Sequence, residues 1–581
     1  MSNSSALDLD IPAQRKPSRE SFDCRARAVD AWLKNLPIAN LGETSRAIFA
    51  TLVEVNQLQQ RPLTRLRFLE RIGDQLGVTI SLLRKHYPPR EFPLPAKSRK
   101  VAELALALLR EMTVGYSIVV RGALSGEAKI SRKWLALALH RAIGYSGRLL
   151  LETYTLYEPD PRGLWRTIHG LYRAAEARQL QDLKIADPEL PGIKRSTIAD
   201  RYKRLLLLAA AGPYRMRPHE AIEIYALLAH CTRHCELLTG ADAAAEEAAF
   251  QADLLDDAPP FPAGERAAGG DLRTLRCAPL LQMLKIAGER RRWWLRRPVV
   301  PAQTDPELLR RLIAALGPGP QRRFSRQPLS DRVQVLIGLA QISRHLAEEH
   351  GLADADAGDL SSRFVSRDVR HAGQRGNDVW ELIYAGDLSR QNRETSDAAS
   401  PVTSKGGTRS QNETKEWRLL NISPGGYCLA SDPTQSSRAQ VGEIVALRDS
   451  DNADAGWQIA AIRWLKHLPS EGLQIGVQVL GPRPLPVLLK PEQADGGFGT
   501  ASRGLLLPEV LAIGQPVTLI TPSLQFAAKR RAQLSGFGNT TSEIELTRAL
   551  DNTGIFCQFE FRSPNASGSP GQDFDSVFAS I

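Results

Sequence analysis

The period of the apolar residues changes partway along the chain, and that change limits the folds open to it. Through residues 21–240 apolar side chains recur at helical spacing. Phe68, Leu69, Ile72 and Leu76 make one face, Val101, Leu104 and Leu108 a second, and Leu135, Leu139 and Ile143 a third. After 320 they fall on alternate positions, as Leu473, Ile475, Val477 and Val479 do between Gln474, Gly476 and Gln478. A 3.6-residue period buries one stripe of a helix, and a period of two buries one face of a strand. The chain is therefore expected to be an α+β multidomain protein: a large all-α N-terminal domain, an antiparallel β-barrel with a long insertion, and a small C-terminal β unit.

Local signals set the boundaries. Pro62, Pro95, Pro161 and Pro218 fall at or near the starts of helical stretches, where a missing N–H costs least. Thr197-Ile198-Ala199-Asp200 approximates a capping box, with Asp where Glu or Gln is usual. Six to nine antiparallel helices are expected over 21–240, with no fixed-period repeat. Residues 241–270, which include Asp256-Asp257-Ala258-Pro259-Pro260, read as a linker. Helices continue over 271–317, and Gly317-Pro318-Gly319-Pro320 ends them. The barrel is expected over 320–485. Its insertion, about 345–415, contains a polar interval that has little to bury and should be disordered. Residues 490–562 read as a small β domain, because Cys557, Phe559 and Phe561 alternate with Gln558 and Glu560. Residues 1–20 and 563–581 read as disordered ends.

The net charge of +11 over 581 residues favours anionic partners without choosing among nucleotides, nucleic acid and anionic membranes. No stretch approaches the ~20 apolar residues of a membrane-spanning helix, and the first residues lack the apolar core of a signal peptide. Six scattered cysteines read as reduced thiols. A cytoplasmic location is expected.

Two segments carry candidate ligand chemistry. Arg322-Arg323-Phe324-Ser325-Arg326 offers guanidinium forks that match a guanine edge or a phosphate in pairs. Asn421-Ile422-Ser423-Pro424-Gly425-Gly426 lies between two apolar runs and reads as a tight turn between strands. Asn supplies an acceptor and donors, and Ser a small hydroxyl. Gly425 and Gly426 permit positive φ and close backbone approach. Further strands follow at Gly442–Arg448, Ala461–Trp464 and Gly472–Val477.

In this order, the Arg-x-x-x-Arg, the Asn-x-Ser-x-x-Gly turn and the strands resemble the PilZ domain, a receptor for cyclic di-GMP. The resemblance covers about 320–485. It implies a ligand-binding role for Arg322, Arg323, Arg326, Asn421, Ser423 and Gly426. It further implies a receptor that is not an enzyme, uses no cofactor or metal, and signals through its helical domain to an effector protein. One departure is large: Arg326 and Asn421 stand 95 positions apart, where the family has a short strand. Val333 to Leu339 is a candidate for that strand and Gln341 to His350 a helix inside the insertion. Arg390 and Arg393 are a rival pair. The competing readings are a ligand-independent PilZ-like scaffold and a nucleic-acid-binding regulator that uses the basic helical half.

Other signals have ordinary structural explanations. His230-Cys231-Thr232-Arg233-His234-Cys235 concentrates potential metal ligands, but a structural zinc site draws on two segments. Arg290 to Arg297, with Trp293 and Trp294, suits single-stranded nucleic acid or a basic helix end. His345 and His350 are five apart and diverge on a helix. No phosphate-cradling Gly-x4-Gly-Lys loop or Gly-x-Ser-x-Gly elbow is present.

Overall fold

The structure is a computed structural model. It describes residues 11–563 except 127–129, 189–191, 240–248, 266–269, 290–303, 318–326, 329–330, 351–413, 424, 452–455, 510–515 and 537–540. Two compact units emerge. One is built on residues 11–89 and 94–317, the other on 90–93, 327–350 and 414–563.

The first unit is mainly helical. Its helices are α1 (Ala26–Lys34), α2 (Leu41–Gln57), α3 (Pro62–Arg84), α4 (Ala96–Leu124), α5 (Arg132–Thr155) and α6 (Leu164–Ala177). A short hairpin, β1 (Ile185–Ala186) with β2 (Arg195–Ser196), precedes α7 (Ile198–Ala210) and α8 (Pro218–Cys231). The Pro signals mark real starts: Pro62 and Pro218 open α3 and α8, and Pro95 is the N-cap of α4. Thr197 and Asp200 form the capping box of α7, each side chain bonded to the other's backbone N–H. The three predicted apolar faces are buried, so the helical period tracks the core.

The 241–270 segment is not a plain linker. β3 (Glu236–Leu238), β4 (Ala249–Asp253), β5 (Phe261–Pro262) and β6 (Leu272–Arg276) form a four-stranded sheet in the order β3-β6-β4-β5. Phe250, Ala252, Phe261 and Leu275 are buried in it. Short strands among Asp, Pro and Gly residues carry too little apolar alternation to stand out in sequence. α9 (Ala278–Glu289) and α10 (Pro306–Leu316) follow.

The second unit holds two antiparallel rings of strands. The first uses β7 (Gln327–Pro328), β8 (Arg332–Ile337), β9 (Lys415–Ser423), β10 (Gly426–Ala430), β11 (Ile444–Asp449), β12 (Gln458–Leu468) and β13 (Gly472–Pro482). Their order is β10-β13-β12-β11-β8-β9, and β9 returns to pair with β10, which closes a six-stranded barrel; β7 pairs with β9 on the edge that β8 uses, opposite β10. α11 (Leu339–Glu349) follows β8. The strands on either side of 351–413 are direct neighbours, with Val333 opposite Trp417. The insertion therefore leaves the ring's register unbroken.

The C-terminal unit is a second closed barrel. Its strands are β14 (Leu485–Pro491), β15 (Ser502–Leu507), β16 (Thr518–Pro522), β17 (Arg530–Ser535), β18 (Thr541–Asn552) and β19 (Phe556–Arg562). The order β14-β15-β16-β19-β18-β17 closes where Leu489 meets Leu534. Its interior is filled by Val487, Leu489, Leu519, Leu534, Leu546 and Phe559. A separate core of Ile342, Leu346, Ile444, Ile459, Leu505, Leu507 and Phe556 joins the two barrels through α11. Among the described residues no helix is long and apolar enough to cross a membrane.

Candidate functional site

The turn predicted at 421–426 closes the β9–β10 hairpin, with Ser423 opposite Gly426 and Ile422 opposite Tyr427. The Ser423 hydroxyl donates to the Gly426 carbonyl at 3.1 Å and ties the turn across its mouth. Gly426 is required for a reason other than positive φ. It sits in strand β10 opposite Gln478, and a Cβ there would overlap the carbonyl oxygen of Val477. Gly425 faces open space.

A cavity of about 250 Å³ opens at this turn. Asn421, Ser423, Gly425 and Gly426 line one side, and Arg463, Trp464, Gly476 and Val477 line the other. It is smaller than the ~300–1,000 Å³ of ordinary ligand clefts, so the described walls enclose only part of a dinucleotide.

In the sequence, Arg463 and Trp464 read only as strand residues. The structure gives each a reason to face the cavity. Ile462 pairs with Val477 and Trp464 with Gly476, which leaves Arg463 as the extra residue of a β-bulge. A bulge re-aims the side chain it carries. Trp464 lies flat on Gly476, where any Cβ would overlap the indole ring. The signal was a large residue and a glycine on neighbouring strands, readable only once the register is known.

Among the described residues, Arg463 is the single charged side chain lining this cavity. Its Nε donates to Gln478 Oε1 at 2.9 Å, and its Nη2 pairs with Asp551 at the end of β18. Tyr427 OH donates to Gln458 Oε1 at 2.7 Å. Burial raises the phenol's pKa, so it stays neutral and holds the rim in place.

Arg322, Arg323 and Arg326 lie outside the described residues, as do Arg390 and Arg393. The residues that follow Arg326 are described. Gln327 pairs with Ile422 and Pro328 with Asn421. The strand directly after the arginine motif is thus hydrogen-bonded alongside the Asn-x-Ser turn, although the two are far apart in sequence.

The remaining candidates resolve differently. α8 ends at Cys231, and a 3-10 turn at Thr232–His234 separates it from Cys235, so the four His and Cys side chains do not share one helix face. Both thiols are buried, and burial pushes Cys231 up to about 12. Among the described residues no three His, Cys, Asp or Glu converge as metal ligands. The Arg290–Arg297 run lies outside the described residues. His345 packs edge-on against Trp457, with ring centroids 5.5 Å apart. A larger cavity of about 520 Å³ lies in the helical unit, among Glu70, Gly73, Tyr116, Arg141 and Tyr145. It is mostly apolar and carries none of the motif residues. An arginine-lined hollow of about 320 Å³ lies nearby in the chain, but its two buried arginines are engaged. Arg201 pairs with Asp187, and Arg204 donates to the Tyr225 carbonyl at 2.8 Å over the Tyr225 ring.

Comparison with known proteins agrees with this architecture. Residues 27–243 match the N-terminal domain of the cyclic-di-GMP receptor FimW, residues 250–486 its middle PilZ domain, and residues 487–564 its C-terminal β-barrel domain. The PilZ match begins at 250 rather than 320, so it takes in most of the small sheet, but not β3, and α9–α10 as well as the ring. The cyclic-di-GMP receptor FimW of Pseudomonas aeruginosa is 27% identical over 99% of both chains. No solved structure matches. The turn, the closed ring and these matches agree: residues 250–486 form a domain of the PilZ type.

Proposed function

We propose that the protein is a cyclic di-GMP receptor that binds the messenger without transforming it. The relative that spans its whole length carries that name. The observation that most supports the reading is the β7 register: Gln327 against Ile422 and Pro328 against Asn421. This pairing supports a site in which the arginine segment, directly ahead of Gln327 in sequence, reaches the Asn-x-Ser turn. In the proposed site Arg322 and Arg326, with Arg323 beside them, grip a guanine edge and a phosphate by paired N–H forks. Asn421 and Ser423 offer polar contacts from the turn. Gly426 keeps the hairpin close enough to β13 to leave the cavity open. Trp464 offers a flat ring to a base. The helical domain and an effector protein would carry the signal, in the cytoplasm.

Calorimetric titration of cyclic di-GMP into the full chain tests this. Saturable binding to the intact protein, lost in Arg322→Ala/Arg326→Ala, is expected. Absence of binding by the intact chain, or equal binding by the double variant, overturns the reading.

A further inference from the structure

Arg463 connects the candidate ligand cavity to the C-terminal barrel. We infer that the Arg463–Asp551 ion pair is a latch that cyclic di-GMP loosens, so that the second barrel senses occupancy of the first. This rests on the cyclic di-GMP reading above.

Three observations carry it. First, among the described residues Arg463 is the only charged group lining the cavity, so a phosphate seated there lies within reach of this guanidinium. Second, the ion pair joins two irregular strand positions. Arg463 is the bulged residue of β12. Asp551 follows a register shift in β18, where Ala549 pairs with Phe559 and Asp551 with Gln558. Arg463 is carried by its bulge and Asp551 directly follows one, and such irregularities re-aim the side chains at them. Third, the latch has a neighbour. Thr553 Oγ1 donates to the Gly442 carbonyl at 2.8 Å, so the β18–β19 end is fixed to the first barrel at two adjacent points. Gly442 has φ of +87°, and its missing side chain makes room for Thr553.

The electrostatics set the direction of coupling. The Arg463 side chain is 33% exposed and that of Asp551 18%, so the pair is neither buried nor fully screened. A ligand phosphate would share the guanidinium with the carboxylate and would repel it. Whatever weakens the carboxylate's hold should therefore strengthen ligand binding, and the ligand should weaken that hold by the same factor. The β18–β19 end would then be freer in the bound state.

Titration of cyclic di-GMP into the full chain and into Asp551→Asn, Arg463→Ala and the double variant tests the latch. Hydrogen exchange of residues 549–556 gives a second readout. The latch predicts severalfold tighter binding by Asp551→Asn, binding at least tenfold weaker by Arg463→Ala, and no gain from Asp551→Asn once Arg463 is gone. It also predicts faster exchange at 549–556 when the intact protein is saturated. If the intact protein binds but Asp551→Asn binds equally or more weakly, the latch is wrong and the receptor reading stands. An equal gain in the Arg463→Ala background would also overturn it. If the intact protein does not bind at all, the receptor reading fails and the latch with it. Asp551→Ser is a second variant, should Asp551→Asn fold poorly.

Discussion

The two barrels of the second unit share a topology and are lined differently. Each is a closed antiparallel ring of six strands, without the unpaired edges that open sheets must protect. The C-terminal ring is packed through its middle by Leu489, Leu519, Leu534 and Phe559. The first ring has its candidate cavity where glycines stand at Gly426 and Gly476 and Arg463 bulges from β12; the second ring carries such features too, at Gly504 and in β18, with its middle still filled. A small ring fills itself by default. It opens a cavity only where glycines let backbones approach and a bulge turns a polar side chain toward the opening. What separates the two rings thus lies in where a few residues sit, not in topology.

Substitutions can sharpen or break that contrast. The largest effect is expected in the packed ring. Phe559→Ala should cost about 3–5 kcal/mol in denaturant unfolding, as large-to-small changes of buried aromatics do. If it costs under ~1 kcal/mol, the second ring is not the tightly filled body described. Gly426→Ala, in the first ring, should cost about 1–3 kcal/mol, because the new methyl must displace the Val477 carbonyl. It should also weaken cyclic di-GMP binding. An alanine accepted without loss of stability would show that β10 and β13 are not so close.

A third effect concerns Trp464. Gly476→Ala should lift its indole off β13, visible as a change in tryptophan fluorescence, with only a modest loss of stability. An unchanged spectrum would contradict the placement of Trp464 against Gly476.

The smallest effect concerns the junction of the barrels. Trp457 Nε1 donates to Glu349 Oε2 at 2.8 Å, and Arg448 pairs with Glu349 Oε1 at 2.6 Å while lying over the Trp457 ring. Partial burial opposes ionisation of Glu349, but the Trp457 N–H and the Arg448 guanidinium outweigh it and hold the carboxyl below its ordinary range. A depressed folded-state pKa stabilises the protein fully above the unfolded value, near ~4.3. That contribution is lost as pH falls through the lower folded value. Acid titration of stability should therefore be slightly shallower in Glu349→Gln than in the intact protein, and identical curves would remove Glu349 from the junction.

Much of this was legible in the sequence, for identifiable reasons. Long helices announce themselves because a buried stripe such as Phe68, Leu69, Ile72 and Leu76 repeats over several turns. The Asn421–Gly426 turn was legible because its chemistry is local. The β3–β6 sheet was hidden because its strands are short and sit among Pro and Asp residues. β14 and β17 were missed because Pro486, Pro491 and Arg530-Arg531 interrupt their alternation. Arg463, Trp464 and Asp551 were unreadable as site residues. Their roles depend on register shifts between strands that a period-two pattern does not reveal.

The central claim is that the arginine segment and the Asn-x-Ser turn meet at one rim, despite the insertion between them. The most direct test is a cross-strand disulfide in Gln327→Cys/Ile422→Cys. Directly opposed antiparallel residues have Cα atoms about 4.5–5.5 Å apart, within disulfide reach. The account predicts that mild oxidation links the pair in the double variant, that neither single variant forms a new bond with a native cysteine, and that the linked protein still binds cyclic di-GMP. A folded double variant that does not cross-link, or one that loses cyclic di-GMP only when linked, would contradict it.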